Sequence, residues 1–336
     1  MMPRIAKWMG TAAALLALAG TPAAAQDAGH LVSDSLQTQQ TPGAAAAAAQ
    51  GEHPVQGEHG ASNQIDIMHH IGNASEVELP FGLGIWHLPH WEPLHIGGFE
   101  LDLSPTKHLV FLVLSAILVG LVFLLAARGI GRAQRQNRPA KGFAGAMEAT
   151  ALYIRQEVVL PNVGPHGEGF APFLLTLFFF ILTMNLLGLV PWGATATGNI
   201  AVTGALALLA FLVIEISGMR ALGFKGYMST IFYLPPGLPT ALKPVMLVIM
   251  TPVEIIGKLS KPFALAVRLF ANMTAGHVLV LALLGLTFIF QSYAVGVASA
   301  VLATGIMLLE VFVAFLQAFV FTLLTSVFIG LMRAEH

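Results

Sequence analysis

Two apolar segments near the C-terminal end, at about 243–290 and 294–331, are separated only by Gln291-Ser292-Tyr293. Each is far longer than the roughly 20 residues that a membrane-crossing helix needs. At 1.5 Å of rise per residue the second makes a helix roughly 57 Å long, nearly twice the hydrocarbon thickness of a bilayer. Neither helix can stand upright. Each is expected to be strongly tilted or divided in two, and Pro252 and Pro262 are where the earlier segment can break. With 56% hydrophobic and only 10% charged side chains, the chain is too apolar for a soluble domain.

Three further apolar runs precede this pair. The first, 109–127, is followed at once by Arg128, Arg132, Arg135, Arg138 and Lys141, which by the positive-inside rule places its far end in the cytoplasm. Residues 143–159 mix Phe143, Met147, Tyr153 and Val158 with Glu148, Arg155 and Glu157, a pattern for a helix lying along the interface. A second span is expected over 172–190. A third is expected over 200–217, returned to the basic side by Arg220 and Lys225. The predicted fold is an all-α membrane protein with about five crossings and an interfacial amphipathic helix, ending in a long, tilted two-helix hairpin. Its N-terminus is outside, and its C-terminus, with Arg333, is in the cytoplasm.

Upstream, Arg4 and Lys7 precede the apolar core TAAALLALAG and the small residues Ala23-Ala24-Ala25, the layout of a secretory signal over 1–25. An uncleaved anchor is the alternative, disfavoured because the apolar core is shorter than a span. Residues 26–106 then form a periplasmic extension, of which 27–62 lack the large apolar residues of a core and read as a flexible linker. Residues 63–106, with Trp86, Trp91 and several Pro and His, suggest a small piece lying against the membrane surface. The membrane domain is 107–333.

Several function classes drop out. The formal net charge of -1 and the lack of a long basic run exclude nucleic acid as a partner. The absence of cysteine excludes a disulfide framework, a thiolate metal site and a cysteine nucleophile. Nine of the twelve histidines precede residue 109, among them His69-His70, His87, His90 and His95. Without cysteine or HExxH spacing they read as a solvated surface segment rather than a metal site, or as a cap over a periplasmic entrance. No cofactor is expected.

Ionisable residues inside membrane spans are costly and mark function by default. Arg268, in FALAVRLFANMTAGHVLVLALLG, has no acid within four residues, and an arginine cannot be deprotonated in a protein. Snorkelling is disfavoured, because Lys258 and Lys261 already mark the cytoplasmic edge about two to three turns earlier. If the two long segments fold back about Tyr293, Arg268 lies level with Gln317 and His277 level with Glu310. On an ideal helix Asn272 is about 40° from Arg268, whereas His277 is about 180° away and about 13 Å further out. Glu310 and Gln317 share one face. That arrangement suits an arginine at a sliding contact and a His/Glu pair, able to relay protons, on a separate wet path. The alternative for the pair is a hydrogen bond that only holds two helices together.

The motifs PFLLTLFFFILTMNLLGLVPW, SKPFALAVRLFANMTAGHVLV and LLEVFVAFLQAFVFTLLT closely resemble subunit a of the F-type ATP synthases over roughly 140–333. Arg268 matches the family's essential arginine, which faces the rotating c-ring, and Asn272 and Gln317 match polar residues beside it. His277 and Glu310 match a pair that many relatives carry in the opposite order, the order here being similar to the mitochondrial one. Glu254 falls where relatives have an acid near the cytoplasmic half-channel, although an i,i+4 pair with Lys258 reads equally well. Asn185 matches a polar position of the second span, and Gly188 stands where some relatives have Asp.

The resemblance implies a proton-conducting stator subunit in the bacterial inner membrane, partnered by the c-ring, the subunit b stalk, the rest of the synthase and lipid. Two offset half-channels would then couple proton translocation to rotation and ATP synthesis. With no GxxxxGK[ST] loop, the chain is expected not to be catalytic itself. A secondary proton-coupled transporter is the rival reading, but the inverted repeats usual in such proteins are not evident.

Overall fold

The computed structural model describes residues 76–78, 85–89, 94–96, 99–101, 104–165, 167–190, 195–232, 239 and 242–334. The signal peptide, the 27–62 linker, His69-His70 and His90 lie outside the described residues. Ahead of the membrane domain come two short antiparallel ladders that the sequence did not reveal: β1 (Glu76–Glu78) with β2 (Ile85–His87), and β3 (Leu94–Ile96) with β4 (Phe99–Leu101). Val77 sits opposite Trp86 and His95 opposite Glu100.

The rest is helical. α1 (Lys107–Arg135) ends on Arg132 and Arg135, cations that suit the negative end of the helix dipole. α2 (Gly142–Tyr153) passes through a π-helical turn at Ile154–Val159 into one last turn, Leu160–Val163. Then come α3 (Ala171–Gly188), α4 (Ile200–Ile231), α5 (Lys243–Phe290) and α6 (Tyr293–Ala334). Five of these, all but α2, are long and apolar enough to cross a membrane. The chain is an all-α, multi-pass membrane protein.

α3 is apolar all round, the pattern of a central helix. More than half of its span (56%) is buried, against 6% for α5, so α5 is left with an outer face for lipid or another chain. Leu174, Ile181 and Met184 of α3, Leu206 of α4, Leu269 of α5 and Phe321 and Ile329 of α6 are fully buried in one core. α4 runs past the expected end at 217 and breaks at Gly223, whose φ of 70° favours glycine. The two long segments are continuous rather than divided. α5 carries Pro252 and Pro262 within a single 48-residue helix, turns at Gln291 in the left-handed region, and is followed at once by α6.

The end of α6 is tied to the end of α2. Arg333 donates from Nη1 to the Val163 carbonyl (3.2 Å) and from Nη2 to that of Pro165 (2.9 Å), capping carbonyls that a helix end leaves unpaired. Just before it, Gly330 lies so close to the Asn162 carbonyl that a Cβ would overlap it, whereas a Cβ at Gly305 meets nothing. Gly330→Ala is therefore expected to destabilise the protein by about 1–3 kcal/mol. Gly305→Ala should be neutral or stabilising by about 0.5–1 kcal/mol. Thermal unfolding of the detergent-solubilised variants checks the opposed signs.

Candidate functional site

α5 turns one stripe toward the bundle: Leu265, Leu269 and Met273 are buried, and a further step of four residues reaches His277. Arg268 is about 100° around the helix from Leu269 and is exposed. Its own face is made of small residues, with Ala264, Ala271 and Ala275 all exposed and within about 60° of it. Small side chains let another helix approach closely. Among the described residues the Arg268 guanidinium has neither a hydrogen bond nor an ion pair. An arginine at mid-membrane costs about 2.5–3.5 kcal/mol on insertion scales, so a bare one calls for a partner beyond this chain.

One turn further on, Asn272 Nδ2 donates to Gln317 Oε1 at 3.2 Å, and Gln317 is buried with its Nε2 unpartnered. The spacing argument set Gln317 level with Arg268. It meets Asn272 instead, which links the arginine face to α6.

Glu310 lies level with the residue before His277, and the two side chains are not hydrogen-bonded to each other. Glu310 packs on α5 at Gly276, where any Cβ would overlap its Oε1. The adjoining His277 ring lies beside the backbone of Gly188, at the end of α3. His277 Nδ1 and Glu310 Oε1 are both buried without a partner.

A polar wall stands beside Gly188. A Cβ at Gly188 would overlap Thr195, so the threonine takes the volume that a side chain there would need. Thr197 Oγ1 donates to Asn185 Oδ1 (2.8 Å) and lies 2.8 Å from Thr195 Oγ1. Asn185 is fully buried, and its Nδ2 has no partner. An unpaired polar group at such a place costs about 1–3 kcal/mol.

A second polar group lies at the basic end. Glu215 of α4 accepts a hydrogen bond from the Tyr227 hydroxyl, brought back by the break at Gly223, and lies 4.0 Å from Lys258 Nζ. Lys258 also donates to Thr230 Oγ1 (3.0 Å) and sits 4.7 Å over the Tyr227 ring. The i,i+4 partner considered for Glu254 is thus engaged elsewhere. Glu254 instead lines a cavity of about 100 Å³ together with Glu215, Lys258, Lys261 and Phe328. Glu215 was missed although its signal was present, an ionisable residue inside an apolar run. Thr195 and Thr197 carried no such signal.

A family model described as ATP synthase A chain matches residues 109–330. The chain belongs to this family. It is similar to ATP synthase subunit a of Chloroherpeton thalassium, 46% identical over 277 residues that cover 81% of this chain and 78% of the relative. It is 47% identical over 271 residues to ATP synthase subunit a 2 of Chlorobaculum tepidum, covering 80% and 73%. It is 40% identical over 302 residues to ATP synthase subunit a of Anaeromyxobacter dehalogenans, covering 87% and 76%. Membership of the ATP synthase A chain family makes it a proton-translocating subunit of the synthase's membrane sector.

The glycine contact gives a test of the site. Gly276→Ala puts a methyl group where Glu310 Oε1 lies and must push the carboxylate off α5, whereas a Cβ at Gly285 meets nothing. Proton conduction through membrane vesicles is expected to fall about tenfold for Gly276→Ala and to stay unchanged for Gly285→Ala.

Proposed function

We propose that this chain is the stator of a rotary proton motor, in which Arg268 faces a ring of c subunits and separates two offset aqueous half-channels. The observation that carries the reading is the position of Arg268: charged, exposed, unpaired among the described residues, beside exposed alanines, and lying between two groups of buried polar residues. Lys258 is about 15 Å from it along α5 on one side, and His277 about 13 Å on the other.

The chamber with Glu215, Glu254, Lys258 and Lys261 lies at the end where Arg220 and Lys225 cluster, which is the cytoplasmic end under the positive-inside rule. The Asn185, His277 and Glu310 chamber then opens to the periplasm, and the protein lies in the bacterial inner membrane with its N-terminus outside and its C-terminus inside. His277 and Glu310 carry protons between that side and a carboxylate on a passing c subunit. Near Arg268 the fixed positive charge favours the ionised carboxylate, which gives up its proton and cannot pass the arginine still protonated. The same charge repels a free proton moving straight through. Rotation is then the coupled route between the chambers. Asn272 and Gln317 hold α5 and α6 together beside the arginine so that its face stays fixed against the ring.

Each charge moved gains about 2.3 kcal/mol per 100 mV, so several protons must be gathered for each ATP, and the ring does the gathering. ATP chemistry takes place on other subunits, and the subunit b stalk holds this chain against the head. Replacing Arg268 by alanine is expected to abolish ATP-driven proton pumping in inverted membrane vesicles while the subunit remains inserted at its normal level. Pumping at the parental rate would overturn the assignment.

A further inference from the structure

α1 begins with two residues unusual for the start of a membrane helix, Lys107 and His108, and both are buried. The imidazole of His108 donates from Nδ1 to the Thr195 carbonyl at 2.9 Å. Thr195 is the residue that fills the space over Gly188, and it leads to Thr197 and then Asn185 through contacts of 2.8 Å each. Because the Thr197 hydroxyl hydrogen goes to Asn185, the Thr195 hydroxyl must donate to Thr197. His108 thus holds the backbone of Thr195, and the hydroxyls of Thr195 and Thr197 form a polar row that ends on the fully buried, half-satisfied amide of Asn185. The row runs beside Gly188, whose backbone also lies beside the His277 ring.

A histidine bonded in this way has a defined proton arrangement. Nδ1–H is committed to a carbonyl, which leaves Nε2 as the acceptor of the neutral ring. The charged and titratable groups within electrostatic reach of it are Lys107 on its own helix and His277 on α5.

We propose that His108 is the outer proton-loading residue of the periplasmic half-channel, delivering protons through water toward His277. This rests on the half-channel reading above and adds α1 to it. Water at the mouth gives a proton to Nε2, and the ring becomes an imidazolium that keeps Nδ1–H on Thr195. Nε2 then passes one proton inward through water toward His277, and the ring returns to its neutral form with no net change. Lys107 supplies a fixed positive charge beside it that speeds the release of the second positive charge.

The test uses the assembled synthase in membrane vesicles. His108→Ala is expected to lower proton conduction about tenfold at unchanged subunit content, and millimolar imidazole on the periplasmic side should restore much of it. Since the chain has no native cysteine, Thr197→Cys and Ser115→Cys give a second readout. Ser115 is fully buried deeper in α1 and bonds its own helix at the Phe111 carbonyl. A small aqueous thiol reagent added from the periplasmic side should react with Cys at 197 and slow conduction, and should leave the 115 variant untouched. Parental conduction by His108→Ala would overturn the proposal, as would a loss that imidazole does not restore together with an unreactive Cys at 197. Arg268→Ala, assayed in parallel, separates the cases: if it still pumps, the underlying motor reading has failed, and if it is dead while His108→Ala is normal, only the present inference has.

Discussion

A guanidinium that cannot lose its proton, standing on an apolar surface with no counter-charge among the described residues, is the constraint around which the rest of the protein is arranged. Placing it there is unfavourable by a few kcal/mol unless something outside the chain answers it. Leu265, Leu269 and Met273 take the inward positions of α5, and the alanines on either side of Arg268 keep its face low. A single 48-residue helix carries this stripe and Arg268 together, in one piece with Lys258 ahead of them and His277 beyond.

The buried polar atoms follow the same logic. Two groups of them stand out, at two levels of the bundle. At the basic end Glu215, Tyr227, Thr230 and Lys258 satisfy one another and stand beside a cavity. At the other end Asn185, His277 and Glu310 each keep one atom unpaired, held in place by the close glycine contacts at 188 and 276. Between the levels lie apolar core residues such as Leu269 and Phe321, with the Asn272–Gln317 pair beside Arg268. The two half-channels proposed above need a moving carrier between them, which is the role proposed for the ring.

Much of this was legible in the sequence, because a bilayer leaves few solutions. The apolar run lengths set the five spans, the hairpin about Tyr293 set Glu310 near His277, and the lone charge in FALAVRLF marked Arg268. What stayed hidden depends on side chains that reach across elements. Gln317 pairs with Asn272 rather than standing level with Arg268, a difference of one helical turn that no spacing rule resolves. The role of Gly188 needed Thr195, seven residues on and past the end of α3, to explain it. Lys258 was visible as the i,i+4 neighbour of Glu254, and only the break at Gly223 shows that it turns to Glu215 and Tyr227 instead. The short ladders before α1 carry too few residues for alternation to identify them.

The most direct measurement is a cryo-EM structure of the assembled synthase, read at Arg268. The account predicts the guanidinium turned to the ring across the Ala264, Ala271 and Ala275 face, with one c-subunit carboxylate near it at a distance of about 4 Å or bridged to it by a single water. It also predicts that the two polar chambers open to opposite sides of the membrane. An Arg268 facing lipid, or chambers joined into one continuous channel, would contradict it.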